Sequence, residues 1–336
     1  MNKTLSIAIP TYKRASLLDE TLNAFLPEIE PHSIPICISY TDDTESTKLV
    51  IQKFKDRYPF VTAVSDPSAT NIDKKIVSAV SLAKTRYVWL FGDDDLPAPD
   101  SINRVLGLLS EKDWGLLVLN ASSHNSDFSS TVEERRIRIK RDVTYAPGEH
   151  EALLRDTASF ITFLGGLVFE KAMWDSEDPT DYLDTDYAHV SILYRAVVGR
   201  YARLVADPQL RIRLAKATWA SRYFEVELVH WPKTVWGLPD NLYSNASKES
   251  ICEKRPTASL SRLLATRAYG HYNIDQYKNF ISVDSDIPMW EKIILKFPLM
   301  LPQWLVSKAL IAFKRVQTLW GNPNLELTIY RLKNRS

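Results

Sequence analysis

Cysteine is nearly absent from this chain, with only Cys37 and Cys252 in 336 residues. They are too few and too far apart for a disulfide framework or a cysteine metal site, and Cys37 falls inside an apolar strand pattern, as a plain buried thiol does. An excess of either charge is lacking too. The chain has 42 Lys and Arg against 41 Asp and Glu, a net of +1, which argues against bulk attraction to nucleic acid. No uninterrupted apolar run reaches the roughly eighteen residues that a membrane span needs. The opening MNKTLSIAIPTYKR has too short an apolar run and no cleavage pattern for a signal peptide. A cytoplasmic location is therefore expected. Glycine numbers ten, and none are arranged as G-x-G-x-x-G after the first strand or as G-x-x-x-x-G-K-S/T anywhere. Dinucleotide-binding Rossmann and P-loop chemistries lose their main signal.

What is present is an alternation of strand and helix patterns over the first hundred residues. Leu5–Ile9 is a short apolar run stopped by Pro10, and Ser16 with Asp19 has capping-box spacing at the head of a helix bearing Leu18, Leu22 and Phe25 on one face. Ile34–Ser39, Phe60–Val64 and Arg86–Phe91 read as further strands. Between and after them, Ile51 and Phe54, then Ile72, Ile76 and Val80, then Ile102, Val105 and Leu109 recur at helical spacing. This alternation predicts an α/β, Rossmann-like, mainly parallel sheet with helices on both faces, whose ligands lie outside the carboxyl ends of the strands. Three polar segments then share one rim: Thr11–Arg14, Tyr40–Thr47 and Gly92–Asp95. Asp93, Asp94 and Asp95 follow the fourth strand directly. Adjacent carboxylates repel, so a fold that gathers them at a strand end commonly supplies a cation, the other reading being a solvated acidic turn before the next helix.

The segments LSIAIPTYKRASLLDETLNAFL, the strand–loop–helix after them, and YVWLFGDDDLPAPDSI resemble, in order and spacing over residues 4–110, the nucleotide-binding half of family 2 glycosyltransferases. Those enzymes have the GT-A fold. The wording of WLFGDDD and SAVSLAKTRY is closest to transferases that build bacterial surface polysaccharides, O-antigen abequosyltransferases among them. The resemblance implies a metal-dependent, inverting transfer of a sugar from a nucleotide-sugar donor to a saccharide acceptor. It makes Asp93 and Asp95 the acids of an Asp-x-Asp motif, with Asp95 a ligand of Mg²⁺ or Mn²⁺, Asp93 near ribose or metal, and Asp94 a lesser contributor. It places Pro10, Thr11, Tyr12 and Arg14 in the nucleotide pocket and Asp73 and Lys74 beside the donor. Where the family usually carries a base-reading aspartate this chain has Tyr40, so either Asp42 reads the nucleobase or Tyr40 stacks on it.

From Asp113 the pattern changes, and three regions are expected: 1–112 as the nucleotide-sugar-binding half, 113–215 as the acceptor-binding half, and 216–336 as a mainly helical extension. Trp114–Asn120 reads as a strand, Val132–Val143 as a solvent-facing hairpin or edge, and Glu149–Thr162 as a helix. Gly165 and Gly166, in an apolar run, point to a close backbone approach, to a sugar or to a packed neighbour. In DYLDTDYAHVSILYRAVVGR an acid stands at the head of an amphipathic helix. By resemblance it is the catalytic base, Asp186 matching best and Asp184 second, although an acid there also suits the helix dipole. His189 and His230 are candidates for contact with the acceptor and for an extra metal ligand. Ser259–Tyr269 and Tyr272–Phe280 read as helices.

Residues 251–336 hold 13 basic and 6 acidic side chains, a net of +7, and include MWEKIILKFPLMLPQWLVSKALIAFKRVQTLW. Pro298 and Pro302 break that apolar, lysine-dotted stretch, so it is expected to lie on a membrane, or to pack as a helical subdomain, rather than to span. A lipid-linked acceptor at the inner face of the cytoplasmic membrane would suit the first alternative. Two other classes compete. A sugar nucleotidyltransferase would share the α/β half and the metal, but PTYKRAS lacks its glycine-rich loop; a non-catalytic nucleotide- or sugar-binding protein would need neither both metal acids nor a base.

Overall fold

The computed structural model describes residues 3–41, 45–158, 160–214 and 222–319. The chain divides into two compact units, Met1–Leu214 with Gly237–Ile251, and Ala215–Trp236 with Cys252–Ser336.

The first unit is built on one sheet. Its strands are β1 (Leu5–Thr11), β2 (Ile36–Tyr40), β3 (Val61–Ser65), β4 (Tyr87–Leu90), β5 (Leu96–Pro97), β6 (Trp114–His124), β7 (Thr131–Glu133), β8 (Val143–Tyr145), β9 (Leu167–Glu170) and β10 (Tyr201–Arg213). Their order is β3-β2-β1-β4-β9-β6-β10-β5, with β7 beside β6 and β8 beside β10. β1 pairs in parallel with β2 and β4, and β2 with β3. The second half is mixed, since β9 runs antiparallel to both β4 and β6 while β6 and β10 are parallel. Every residue of β1 and β4 is buried, which is why these strands read as unbroken apolar runs: both faces of a central parallel strand are covered.

Helices α1 (Ala15–Ile29), α2 (Glu45–Arg57), α3 (Ile72–Ser81) and α4 (Ser101–Glu111) connect the parallel strands; α5 (His150–Thr157), α6 (Lys171–Trp174) and α7 (Ala188–Ala196) follow. The chain then enters the second unit through α8 (Tyr223–Glu225), a π-helical turn at Val226–His230, and α9 (Trp231–Trp236). It returns to the first unit as α10 (Asn245–Ile251), where Lys248 Nζ donates to Leu238 O and Asp240 Oδ1. The remainder of the second unit is α11 (Leu260–Tyr269), α12 (Ile274–Gln276) with a π-helical continuation at Tyr277–Ser282, α13 (Met289–Met300) and α14 (Gln303–Leu319). Its core gathers Phe224, Leu228, Leu263, Tyr272, Ile281, Ile287 and Leu295.

Several local expectations shift. α1 begins at Ala15 with Arg14 at its N-cap and no side-chain cap, because Arg14 reaches instead to the acidic turn. Between Val132 and Val143 only β7 and the start of β8 are regular; Ile137 N–H is taken by the Asn120 side chain. α5 ends at Thr157, short of Thr162. The glycine pair does mark a close approach, but to protein. A Cβ on Gly165 would stand 2.5 Å from Leu210 Cδ1, and one on Gly166 the same distance from Phe160 Cε1. Both cysteines are buried, and burial pushes the Cys37 thiol up to about 11.

Candidate active site

Where the strand order reverses, between β1 and β4, a doubly wound sheet leaves a crevice at the carboxyl ends of its strands. Thr11 ends β1 there, and Phe91–Asp95 leaves β4 beside it. Thr11 Oγ1 donates to Asp93 Oδ2 at 2.6 Å. Arg14 Nη1 donates to Asp93 Oδ1 at 2.9 Å and to Asp94 Oδ2 at 2.8 Å. Asp95 Oδ1 accepts from the Arg213 backbone N–H at 2.9 Å, and Arg213 Nε donates to Asp94 O, also at 2.9 Å. Thr21 Oγ1, on the buried face of α1, bridges the carbonyls of Asp93 and Asp95. The turn is thus clasped from three distant parts of the chain, and Asp93 and Asp95 retain only 5% and 4% of their surface.

Burial and mutual repulsion dominate the electrostatics. Burial first, then the Asp94 charge, raises the pKa of Asp93 against the opposing pull of Arg14 and Thr11. The same two causes hold Asp95 well above the usual carboxylate range. Burial works against the charge of Arg14, but Asp93 and Asp94 outweigh it and the guanidinium is held above its ordinary value. Arg213 also pairs with Glu20 at 2.6 Å, so part of its charge is spent outside the turn. The site has more negative charge than its own cations balance.

The oxygens that face this deficit can be identified. Both Asp93 oxygens accept from protein donors, whereas Asp94 Oδ1 and Asp95 Oδ2 take no hydrogen bond among the described residues. Both oxygens lie beside Gly92, where an added Cβ would stand 3.0 Å from Asp95 Oδ2 and 3.3 Å from Asp94 Oδ1. A side chain at this position would crowd both carboxylates by a few tenths of an ångström. Among the described residues no three or more side chains form a ready-made metal cage. Two hard carboxylate oxygens suit Mg²⁺ or Mn²⁺ that completes its shell with substrate phosphate and water. The expected pair was Asp93 with Asp95; this geometry leaves Asp94 and Asp95 uncommitted and engages Asp93 in holding Thr11 and Arg14.

Around this centre lie the other anticipated residues. Pro10 and Thr11 pair in register with Ser39 and Tyr40, so Tyr40 stands at the same rim. Tyr12 is exposed beneath the Lys75 ammonium, 4.5 Å from its ring centroid. Asp42 lies outside the described residues. Lys74 turns into a cavity of about 420 Å³ lined by Asp66, Ser68, Val77, Ser78 and Leu183. A larger cavity, about 640 Å³, opens at Thr4, Arg86, Tyr87 and Lys112 where the strands begin, the rim opposite the acids.

Asp73 has no exposed surface, so no donor reaches it directly. Its carboxylate accepts from the backbone N–H groups of Thr185 at 2.8 Å, Asp186 at 2.9 Å and Ala188 at 3.0 Å. Asn71, which caps α3 through Lys74 N–H, also donates to Asp184 Oδ1. The first turn of α3 therefore ties down the loop that carries both candidate bases. In that loop Asp184 and Asp186 have φ of +68° and +61°, left-handed backbone that aspartate tolerates better than most side chains. Burial raises the Asp73 pKa to about 6, against the pull of the three N–H donors. Asp73→Asn should lower stability by roughly 2 kcal/mol by turning an amide N–H₂ toward backbone donors. It should also cut kcat by about ten- to a hundredfold with little change in donor KM, as measured by denaturant melts and initial rates.

His189 is buried in the first turn of α7, and neither ring nitrogen forms a hydrogen bond of ordinary geometry. Burial pushes its pKa down to about 4, so it is neutral at physiological pH. The unfolded chain binds this proton near pH 6.5 and the folded chain only near 4, so stability is lost as pH falls through that window. A His189→Leu variant should lack this loss, about 3 kcal/mol by pH 4 relative to the parent in paired urea melts. Asp73, whose raised pKa acts in the opposite sense, cancels in the comparison. His230 lies in the second unit, 3.6 Å from Glu225 Oε1.

Arg213, Thr21 and Asn71 escaped the sequence reading. Thr21 leaves a trace, as a polar residue on the apolar face of α1. Arg213, 118 positions from Asp95, leaves none.

Residues 6–166 match the model of glycosyl transferase family 2. The chain is similar to S. aureus TarS 1–349, with a TM-score of 0.56 at 13% identity over 90% of this chain and 78% of that one. It is also similar to the mannosyltransferase PcManGT from Pyrobaculum calidifontis, solved with GDP-Man and Mn²⁺, with a TM-score of 0.53 at 14% identity over 99% and 87%. These likenesses show the fold, which is GT-A, and residues 6–166 are a family 2 glycosyltransferase domain. Among curated proteins the chain resembles the abequosyltransferase RfbV of Salmonella typhimurium strain LT2, 28% identical over 200 residues, or 56% of this chain. That alignment spans 60% of the relative's length.

Proposed function

We propose that this protein transfers a glycosyl group from a nucleoside-diphosphate sugar to a saccharide acceptor, in a metal-dependent, inverting reaction of bacterial surface-polysaccharide synthesis. The observation that carries the reading is the clasped acid turn at the switch point, with uncommitted carboxylate oxygens on Asp94 and Asp95 over Gly92. A bound Mg²⁺ or Mn²⁺ would offset the negative charge that grows on the departing diphosphate. Asp94 and Asp95 would hold it, while Asp93 keeps Thr11 and Arg14 in place at the nucleotide pocket.

On the acceptor side, Asp186 takes the proton of the attacking hydroxyl. The acceptor oxygen bonds to the anomeric carbon as the carbon–phosphate-oxygen bond breaks on the opposite face, so the anomeric configuration inverts. Asp73 and Asn71 position the loop that presents Asp186, with Asp184 as the second candidate. Tyr40 and Tyr12 offer aromatic faces for the nucleobase. A lipid-linked acceptor at the inner face of the cytoplasmic membrane completes the reading.

The test is a panel of nucleoside-diphosphate sugars with Mg²⁺, Mn²⁺ or chelator. One donor should raise the melting temperature and be turned over only with metal, and NMR of the product should show an inverted anomer. Turnover unaffected by chelation, or a retained anomer, would sink the mechanism; no response to any donor would sink the assignment.

A further inference from the structure

The second unit exposes an apolar surface that nothing in its own fold requires. α13 presents two apolar sides. Leu295 points inward, and Tyr272 Oη donates to its carbonyl at 2.7 Å. On the outward side Trp290, Ile293, Ile294, Phe297 and Met300 repeat at helical spacing, with Trp290 64%, Ile293 67% and Met300 78% exposed. α14 repeats the pattern, with Trp304 at 61% and Leu305 and Phe313 also exposed. Isolated exposed apolar residues are ordinary, but two consecutive helices with such stripes are not.

The geometry points to a lipid surface as the occupant: we infer that α13 and α14 lie in the plane of an anionic bilayer, their outward stripes sunk to the level of the acyl chains and their lysines among the headgroups. No single described helix is long and apolar enough to cross a membrane, and α13 and α14, which pass that test only together, meet at 93°. A pair at right angles whose outward side is exposed among the described residues fits an interface better than a crossing. The charge pattern agrees. Residues 289–319 contain five basic side chains, Lys292, Lys296, Lys308, Lys314 and Arg315, against one acid, Glu291. Lys308 extends over the Trp304 ring at 5.1 Å, so an interfacial aromatic and a cation share one place. A second copy of this chain is disfavoured by the same count. A two-fold interface here would bring lysines together with only Glu291 from each copy to pair them.

This deepens the proposed function, since a lipid-linked acceptor is met at a bilayer, but its test does not depend on turnover. The full chain should co-sediment with vesicles of phosphatidylcholine containing phosphatidylglycerol and only weakly with phosphatidylcholine alone. Ile293→Asp with Phe297→Asp should lower the bound-to-free ratio by about tenfold or more, with hydrolysis of a soluble donor unchanged. Lys296→Glu with Lys308→Glu should remove the preference for anionic vesicles, about tenfold or more at roughly fivefold per lysine. That second pair keeps the test intact if the first disturbs folding, which a thermal melt reveals. Point changes are preferable to deletion of the helices, because α13 contributes Leu295 to the core. Three outcomes overturn the inference: no binding to anionic vesicles, equal binding by both variants and parent, or a dimer in sedimentation that the same substitutions dissolve without any vesicle binding.

Discussion

Asp95→Asn should abolish most of the transferase activity, lowering kcat/KM by on the order of a thousandfold, while leaving the protein as stable as before or more so. The two halves of this expectation share one cause. Asp95 is buried with its pKa held well above the usual range by that burial and by Asp94, so at neutral pH its charge costs folding free energy. Asparagine is nearly isosteric, and its carbonyl can still accept the Arg213 N–H, so the clasp is kept while the charge is removed. What is lost is the anionic oxygen over Gly92. Melting temperature without metal should hold or rise, and the further rise produced by Mn²⁺ with nucleoside diphosphate should vanish. A variant that kept turnover within tenfold of the parent would remove Asp95 from the mechanism.

Asp186→Asn should reduce kcat by about a hundred- to ten-thousandfold, the usual contribution of a general base, with donor KM within a few-fold. Its backbone is fixed by the bond from its own N–H to Asp73 and held at positive φ, so the amide should sit where the carboxylate sat. Asp184→Asn, which leaves that bond intact, should have the smaller effect. If Asp184→Asn proved the more damaging, the roles would exchange; if neither lowered kcat tenfold, no base would come from this loop. Initial rates at saturating acceptor, with donor binding measured separately, distinguish these cases.

Much of this site was legible in the linear chain because the relevant chemistry is local. The fourth strand, Gly92 and the three acids are adjacent, and the run of β1 into Thr11 and Arg14 has the same strand-then-polar form. Both halves of the Thr11–Asp93 and Arg14–Asp93 contacts could therefore be placed on one rim before any distance was known. The loop of Asp184 and Asp186 was visible as acids before a helix, but its tether was not. Asp73 reads as an ordinary first-turn acid, and only its 112-residue separation from Thr185, closed by folding, shows that it holds another helix's entrance.

The sequence by itself determined the βα alternation, the rim that carries Thr11, Arg14 and the acids, the acid turn, and the apolar, lysine-dotted stretch near the C-terminus. These follow from side-chain periodicity and from neighbours along the chain. Only the tertiary structure decided which carboxylate oxygens remain uncommitted, that Arg213 and Thr21 hold the acid turn, and that Asp73 is a buried tether. It also decided that, among the described residues, the outward faces of α13 and α14 are exposed. Hydrogen bonds and burial depend on which distant segments meet, and a one-dimensional pattern of polarity cannot say which of two apolar helix faces finds a partner.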